Sequence, residues 1–146
     1  MNRIQPLHAT TLARLRPDGW RGVLIQGPSG VGKSDLALRL MACGWSLVAD
    51  DWTLVWASAG HLYAAPPPSI AGRMEVRGVG VMTLPASQPI RPLARLSLAV
   101  TATQDPIERL PEPALWRHQG VAITHLKLDP RPASANLALA AAFAAL

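Results

Sequence analysis

The stretch GVLIQGPSGVGKS, Gly22 to Ser34, decides the fold. Its apolar run stops at a glycine, as a buried strand does on entering a tight loop. The residues that follow, Gly27-Pro28-Ser29-Gly30-Val31-Gly32-Lys33-Ser34, match G-x-x-x-x-G-K-[ST]. Glycines there let successive backbone N–H groups turn inward around phosphate oxygens without side-chain obstruction. A helix is predicted from Lys33 to about Cys43, because Leu36, Ala37, Leu40 and Met41 recur on one face and Gly44 supplies a stop. The positive end of that helix points at the same anion. Lys33 would reach the outer phosphates and the Ser34 hydroxyl would ligate Mg²⁺, so a nucleoside triphosphate such as ATP is the expected ligand.

Working outward, LVADD follows at Leu47–Asp51. Placed parallel to and beside the strand Gly22–Gln26, this short strand would open its carboxyl end onto the crevice that holds the loop. Adjacent carboxylates at Asp50 and Asp51 repel one another and each favours a nearby cation, which a triphosphate-bound Mg²⁺ supplies. Further on, MEVRG places Glu75 and Arg77 two positions apart, hence on one face of a strand. The glycines that follow, Gly78 and Gly80, suggest a close backbone approach. His8, read alone, is an ordinary structural histidine.

The remaining chain reads as strands near Leu7–Leu15, through SLVAD and WTLVWAS, in AGHLYAA, across Arg73–Leu84, and in LARLSLAVTA and VAITHLKLD. Asp18-Gly19 signals a hairpin turn. Proline-rich APPPSI, LPASQPIRP and LPEPAL read as rigid loops, and Ala133–Leu146 as a closing helix. The expectation is an α/β domain with a phosphate loop, a sheet of mixed direction, one helix after the loop and one at the C-terminus. The 146 residues contain no internal repeat and no linker long enough to divide them, so 1–146 is read as one catalytic domain without an amino-terminal regulatory domain.

Net charge is +5, yet the arginines are scattered and form no basic run, which argues for anionic ligands and against a nucleic-acid partner. The lone cysteine, Cys43, suits a reducing compartment and reads as a small core residue. No signal peptide and no window approaching ~18 unbroken apolar residues is present, so a cytoplasmic protein without a membrane span is expected.

Taken together, HATTL, GPSGVGKSDLALRL, LVADD and MEVRGVGV, in this order and spacing, resemble the catalytic domain of the HPr kinase/phosphorylase family. The resemblance is dense from Leu7 to Met82 and thin beyond. It implies an ATP- and Mg²⁺-dependent kinase acting on a serine of HPr, the phosphocarrier protein of the sugar phosphotransferase system, and in some members the reverse phosphorolysis to pyrophosphate. By position it gives Gly27 to Ser34 to the triphosphate, with Lys33 in catalysis and Ser34 on the metal. Asp50 takes the acid/base role with His8 beside it. Asp51 and Glu75 become metal-side carboxylates, and Arg77 belongs to the signature segment. Asp50→Asn is then expected to keep nucleotide binding and lose most transfer. A homohexamer is also implied. Members carry a GRN triplet before the last helix, where this chain has Ser134-Ala135-Asn136; Arg131 lies close but is not a match.

Two rival readings use the same loop. A small-molecule kinase of the gluconate or shikimate type needs an arginine-bearing lid and regular βαβα alternation, which the strand- and proline-rich middle lacks. An ATP-sensing interaction module would have no use for the acids at Asp50, Asp51 and Glu75.

Overall fold

The computed structural model describes residues 4–84 and 90–146. Its centre is a hairpin of β1 (Gln5–Arg16) and β2 (Gly19–Gln26), closed by the predicted turn and registered Arg16 to Gly19 and Ala9 to Gln26. Residues of β2 alternate between two cores. Val23 and Ile25 face one side and Leu24 the other, all fully buried, which is why the segment reads as a continuous apolar run.

Helix α1 (Lys33–Ala42) follows β2, and then β3 (Ser46–Ala49) pairs antiparallel with β1. β3 therefore runs in the same direction as β2, but β1 lies between them. The expected side-by-side pairing of the two strands is corrected: the loop and LVADD sit one strand apart, and β1 is the element that faces both.

β4 (Trp52–Ser58) also pairs with β1, β5 (His61–Ala65) pairs with β4 and with β8 (Ala94–Ala102), and β8 returns parallel to β2. These five strands close into a ring filled by Ala9, Leu24, Val55, Leu62, Ala64 and Leu96. Small alanines alternate with branched chains there because so narrow a ring leaves little interior space. β10 (Val121–Leu128) adds parallel to β8, and β9 (Ala114–His118) antiparallel to β10. β9 went unread in the sequence, since its first residues lie in the segment LPEPAL taken as a loop.

The opposite face of the sheet carries α1 and α2 (Ala135–Ala144) over Leu12, Val23, Ile25, Leu98 and Val100. Trp45 and Phe143 meet edge to face there, with centroids 4.8 Å apart. Arg16 donates to the carbonyls of Phe143 (2.6 Å) and Leu146 (3.0 Å), holding the end of α2 against β1. Cys43, expected in the core, is exposed just after α1.

The segment Arg73–Leu84 is a separate two-stranded hairpin, β6 (Arg73–Val76) and β7 (Gly80–Thr83), rather than one interrupted strand. Met74 drops into the helix-side core while Glu75 points the opposite way, as strand alternation requires. A Cβ on Gly78 or Gly80 would meet open space, so neither marks a close approach; their φ angles of 83° and 120° serve the tight turn instead. Of the proline-rich segments, APPPSI includes a short 3₁₀ turn at Pro68–Ile70, and residues 85–89 of LPASQPIRP lie outside the described residues.

Candidate active site

A cavity of about 470 Å³ opens at the carboxyl end of β2, between the glycine loop with the start of α1 and the β6–β7 hairpin. It falls in the usual size range of ligand sites, about 300–1,000 Å³. Ser29, Gly30, Gly32, Lys33 and Ser34 line one wall, and Asp51, Glu75 and Arg77 face them. Arg77 lies in the turn after β6, not on the strand as expected, yet the turn keeps it on the same cavity as Glu75.

Within the loop the Val31 N–H is taken by the Pro28 carbonyl at 3.2 Å. Gly32 caps α1 at φ 116° with no side chain satisfying the first turn of the helix. Its missing Cβ also makes room for Pro130, whose Cγ would lie 3.2 Å from such an atom. Lys33 is buried and bridges the loop from within, donating to the carbonyls of Gly27 (2.7 Å) and Pro28 (3.2 Å). Burial pushes its ammonium pKa down, against the opposing pull of Asp51 and then Asp50.

Asp50 is 5% exposed and is not among the residues lining the cavity. Its Oδ1 accepts the hydroxyls of Ser34 (2.7 Å) and Thr10 (3.0 Å), and its Oδ2 accepts the Glu75 N–H (3.1 Å). One carboxylate thus ties together the first turn of α1, the strand β1 and the separate hairpin. Because Ser34 donates its proton to Asp50, its lone pairs remain for a cation, a fit to the divalent metal that the loop motif implies.

Asp51 is placed differently. It sits at φ 70°, in a three-residue turn closed by the Trp52 N–H on the Asp50 carbonyl (2.8 Å), and its side chain is 58% exposed. Oδ1 lies 2.8 Å from His8 Nε2, and the His8 ring packs against Trp52 at 5.2 Å. β1 therefore brings His8 to Asp51, the member of the Asp50–Asp51 pair that reaches the cavity, while Asp50 is turned beneath the loop. Among the described residues, no three His, Cys, Asp or Glu side chains form a ready-made metal cage.

The sequence reading missed Thr10, which touches both aspartates: besides its bond to Asp50, it accepts the Asp51 N–H at 3.3 Å. A signal existed, since Thr10 lies two positions after His8 and so on the same face of β1. Arg131, near the position of the absent family arginine, is held by Asp129 at 2.8 Å and does not line the cavity.

The family model of the HPr serine kinase C-terminal domain matches residues 20–139. The chain is 45% identical over 83 residues to the HPr kinase/phosphorylase of Shouchella clausii, covering 54% of this chain and 27% of that protein. To its counterpart from Bordetella petrii it is 42% identical over 98 residues, covering 62% and 32%. The chain thus spans about a third or less of the length of these curated relatives. The solved Hpr(Ser) kinase/phosphatase structure from Coxiella burnetii superposes with a TM-score of 0.81 over 97% of this chain and 95% of that one, at 21% identity. That likeness carries the fold, and the family model, spanning most of the chain, carries membership: this chain belongs to the HPr serine kinase C-terminal domain family.

Proposed function

We propose that this chain transfers the γ-phosphoryl group of ATP to a serine hydroxyl of HPr, with Asp51 rather than Asp50 as the acid/base group. The observation that carries the reading is the division of labour between the two aspartates. Asp50 is buried and engaged with Ser34, Thr10 and the backbone of Glu75, whereas Asp51 stands on the cavity wall beside His8.

In this reading the loop N–H groups and Lys33 hold the triphosphate in line with the acceptor. Ser34 and Glu75 hold the divalent cation, with Asp50 orienting Ser34 from behind. When bound, that cation neutralises charge on the phosphates. Asp51 orients the serine hydroxyl and accepts its proton, and His8 fixes the direction of the Asp51 carboxylate. Arg77 offers positive charge on the hairpin side of the cavity.

Phosphorolysis would use the same groups in reverse, with protonated Asp51 returning its proton to the serine. The absent arginine bears on that direction, because Ala135 is packed in the core and presents no charge. Forward transfer is therefore the activity proposed first. Assembly into homohexamers, as the resemblance implies, remains part of the proposal.

The test is mass spectrometry of HPr after incubation with this protein, ATP and Mg²⁺. One added phosphate on a serine is expected, and pyrophosphate release from phospho-HPr and inorganic phosphate reports the reverse step. Unmodified HPr alongside a phosphorylated sugar would favour the small-molecule kinase reading. ATP binding without any acceptor would favour the sensing module.

A further inference from the structure

We propose that Thr10 is a positioning residue, which aims the Asp51 carboxylate at the acceptor by bonding both aspartates of the turn through one hydroxyl. This rests on the phosphoryl-transfer reading above. Thr10 is fully buried in β1, paired with Ile25 of β2, so its hydroxyl has no water to bond. A hydroxyl offers one proton and two lone pairs. The proton goes to Asp50 Oδ1 at 3.0 Å, and a lone pair receives the Asp51 N–H at 3.3 Å.

The placement matters because Asp51 is held at φ 70°, a region seldom occupied by residues other than glycine and tolerated somewhat by aspartate. Two backbone bonds frame the turn, Trp52 N–H to Asp50 O and Ala9 N–H to Asp51 O. Neither of them senses the Asp50 side chain. Thr10 is the side chain that joins the carboxylate bonded to Ser34 with the backbone of the residue facing the acceptor. A small rotation of the turn would carry the Asp51 carboxylate off the acceptor line while leaving the loop and Lys33 in place.

The neighbouring Thr11 provides an internal control. It is equally buried, but its hydroxyl pairs with Thr53 Oγ1 at 2.9 Å, and Thr53 donates to the Ala9 carbonyl. No hydrogen bond joins the Thr11 side chain to either aspartate.

The experiment compares Thr10→Val, Thr10→Ser and Thr11→Val by two readouts: amide hydrogen exchange at Asp51 in the nucleotide-free protein, and steady-state kinetics of transfer to HPr. Thr10→Val should speed Asp51 exchange about tenfold and lower kcat about 10- to 100-fold, with the KM for ATP within about twofold of wild type. Thr10→Ser should restore both, and Thr11→Val should change neither beyond about twofold. Exchange and kcat both unchanged in Thr10→Val, or Thr10→Ser as impaired as Thr10→Val, would overturn the assignment. Should Thr10→Val fail to fold, Thr10→Ala against Thr10→Ser makes the same comparison. Wild-type protein that leaves HPr unmodified sinks the transfer reading instead, and the exchange arm then decides separately whether the Thr10 hydroxyl holds the turn.

Discussion

The Ser34 hydroxyl donates to Asp50 Oδ1 across 2.7 Å, joining the first turn of α1 to the end of β3 beneath the loop. This contact commits Asp50 to the loop side and leaves Asp51 to face the cavity. The roles proposed for the two adjacent acids rest on it.

The pair should separate cleanly on substitution. Asp51→Asn is expected to keep ATP affinity and lower transfer to HPr by about 10²- to 10⁴-fold, the range for removing a general base. Asp50→Asn replaces an acceptor of three hydrogen bonds with a group whose NH₂ opposes at least one of them. It should cost about 1–3 kcal/mol of stability in denaturant titrations, besides weakening Mg²⁺-dependent nucleotide binding. A stable Asp50→Asn protein that binds ATP normally and fails only in transfer would return the acid/base role to Asp50.

Lys33 should report nucleotide binding through protons. Burial lowers its pKa from the ordinary 10.5, so in the alkaline range part of the population is neutral before ligand arrives. A bound polyanion favours the charged form, and binding must then take up protons. Calorimetry in buffers of different ionisation enthalpy should show that uptake at alkaline pH, with affinity falling as pH rises through the lowered pKa. Lys33→Met should bind more weakly and show none of this uptake.

Gly27 should resist replacement by alanine for a packing reason. A Cβ there would lie 2.7 Å from the Ala102 carbonyl and 3.1 Å from Val31, forcing the loop away from the end of β8. Gly27→Ala should lower both melting temperature and ATP affinity, whereas Gly30→Ala, with open space around it, meets no such clash and loses only what its φ of 81° imposes. Equal melting temperatures for Gly27→Ala and wild type would contradict this close approach.

Acid should weaken the fold through two histidines that do not line the cavity. Burial lowers the pKa of His118 and, with help from Lys127, that of His125, whose Nε2 lies 2.8 Å from Thr101 Oγ1. Below the ordinary value of 6.5 the unfolded chain binds more protons than the folded one, so stability rises with pH up to about 6.5 and declines as pH falls below it. Replacing both with asparagine should flatten that part of a stability profile measured by urea unfolding.

Much of the site was legible from local pattern alone. The loop motif, the helix that starts at Lys33 and the hairpin at Asp18-Gly19 are short-range features, set by glycine conformations and by apolar residues at helical spacing. The acids of LVADD and MEVRG were recognisable as a group, and Asp51, Glu75 and Arg77 do share the cavity with the loop. Cys43 misled because apolar character predicts burial only on average, and its place past the end of α1 leaves it exposed.

Local pattern did not distinguish Asp50 from Asp51. They are chemically identical neighbours, and the difference between them is a backbone turn at φ 70° together with partners on β1 and α1 that are distant along the chain. Nor did pattern reveal that β1 separates β3 from β2, or that five strands close into a ring, since strand order arises from long-range pairing. By itself the sequence determined the glycine loop, the helix behind it and the set of acids near it, because those depend on neighbouring residues. Tertiary structure alone decided which aspartate lies under the loop and which meets the cavity, because that choice depends on the side chains β1 brings to the turn.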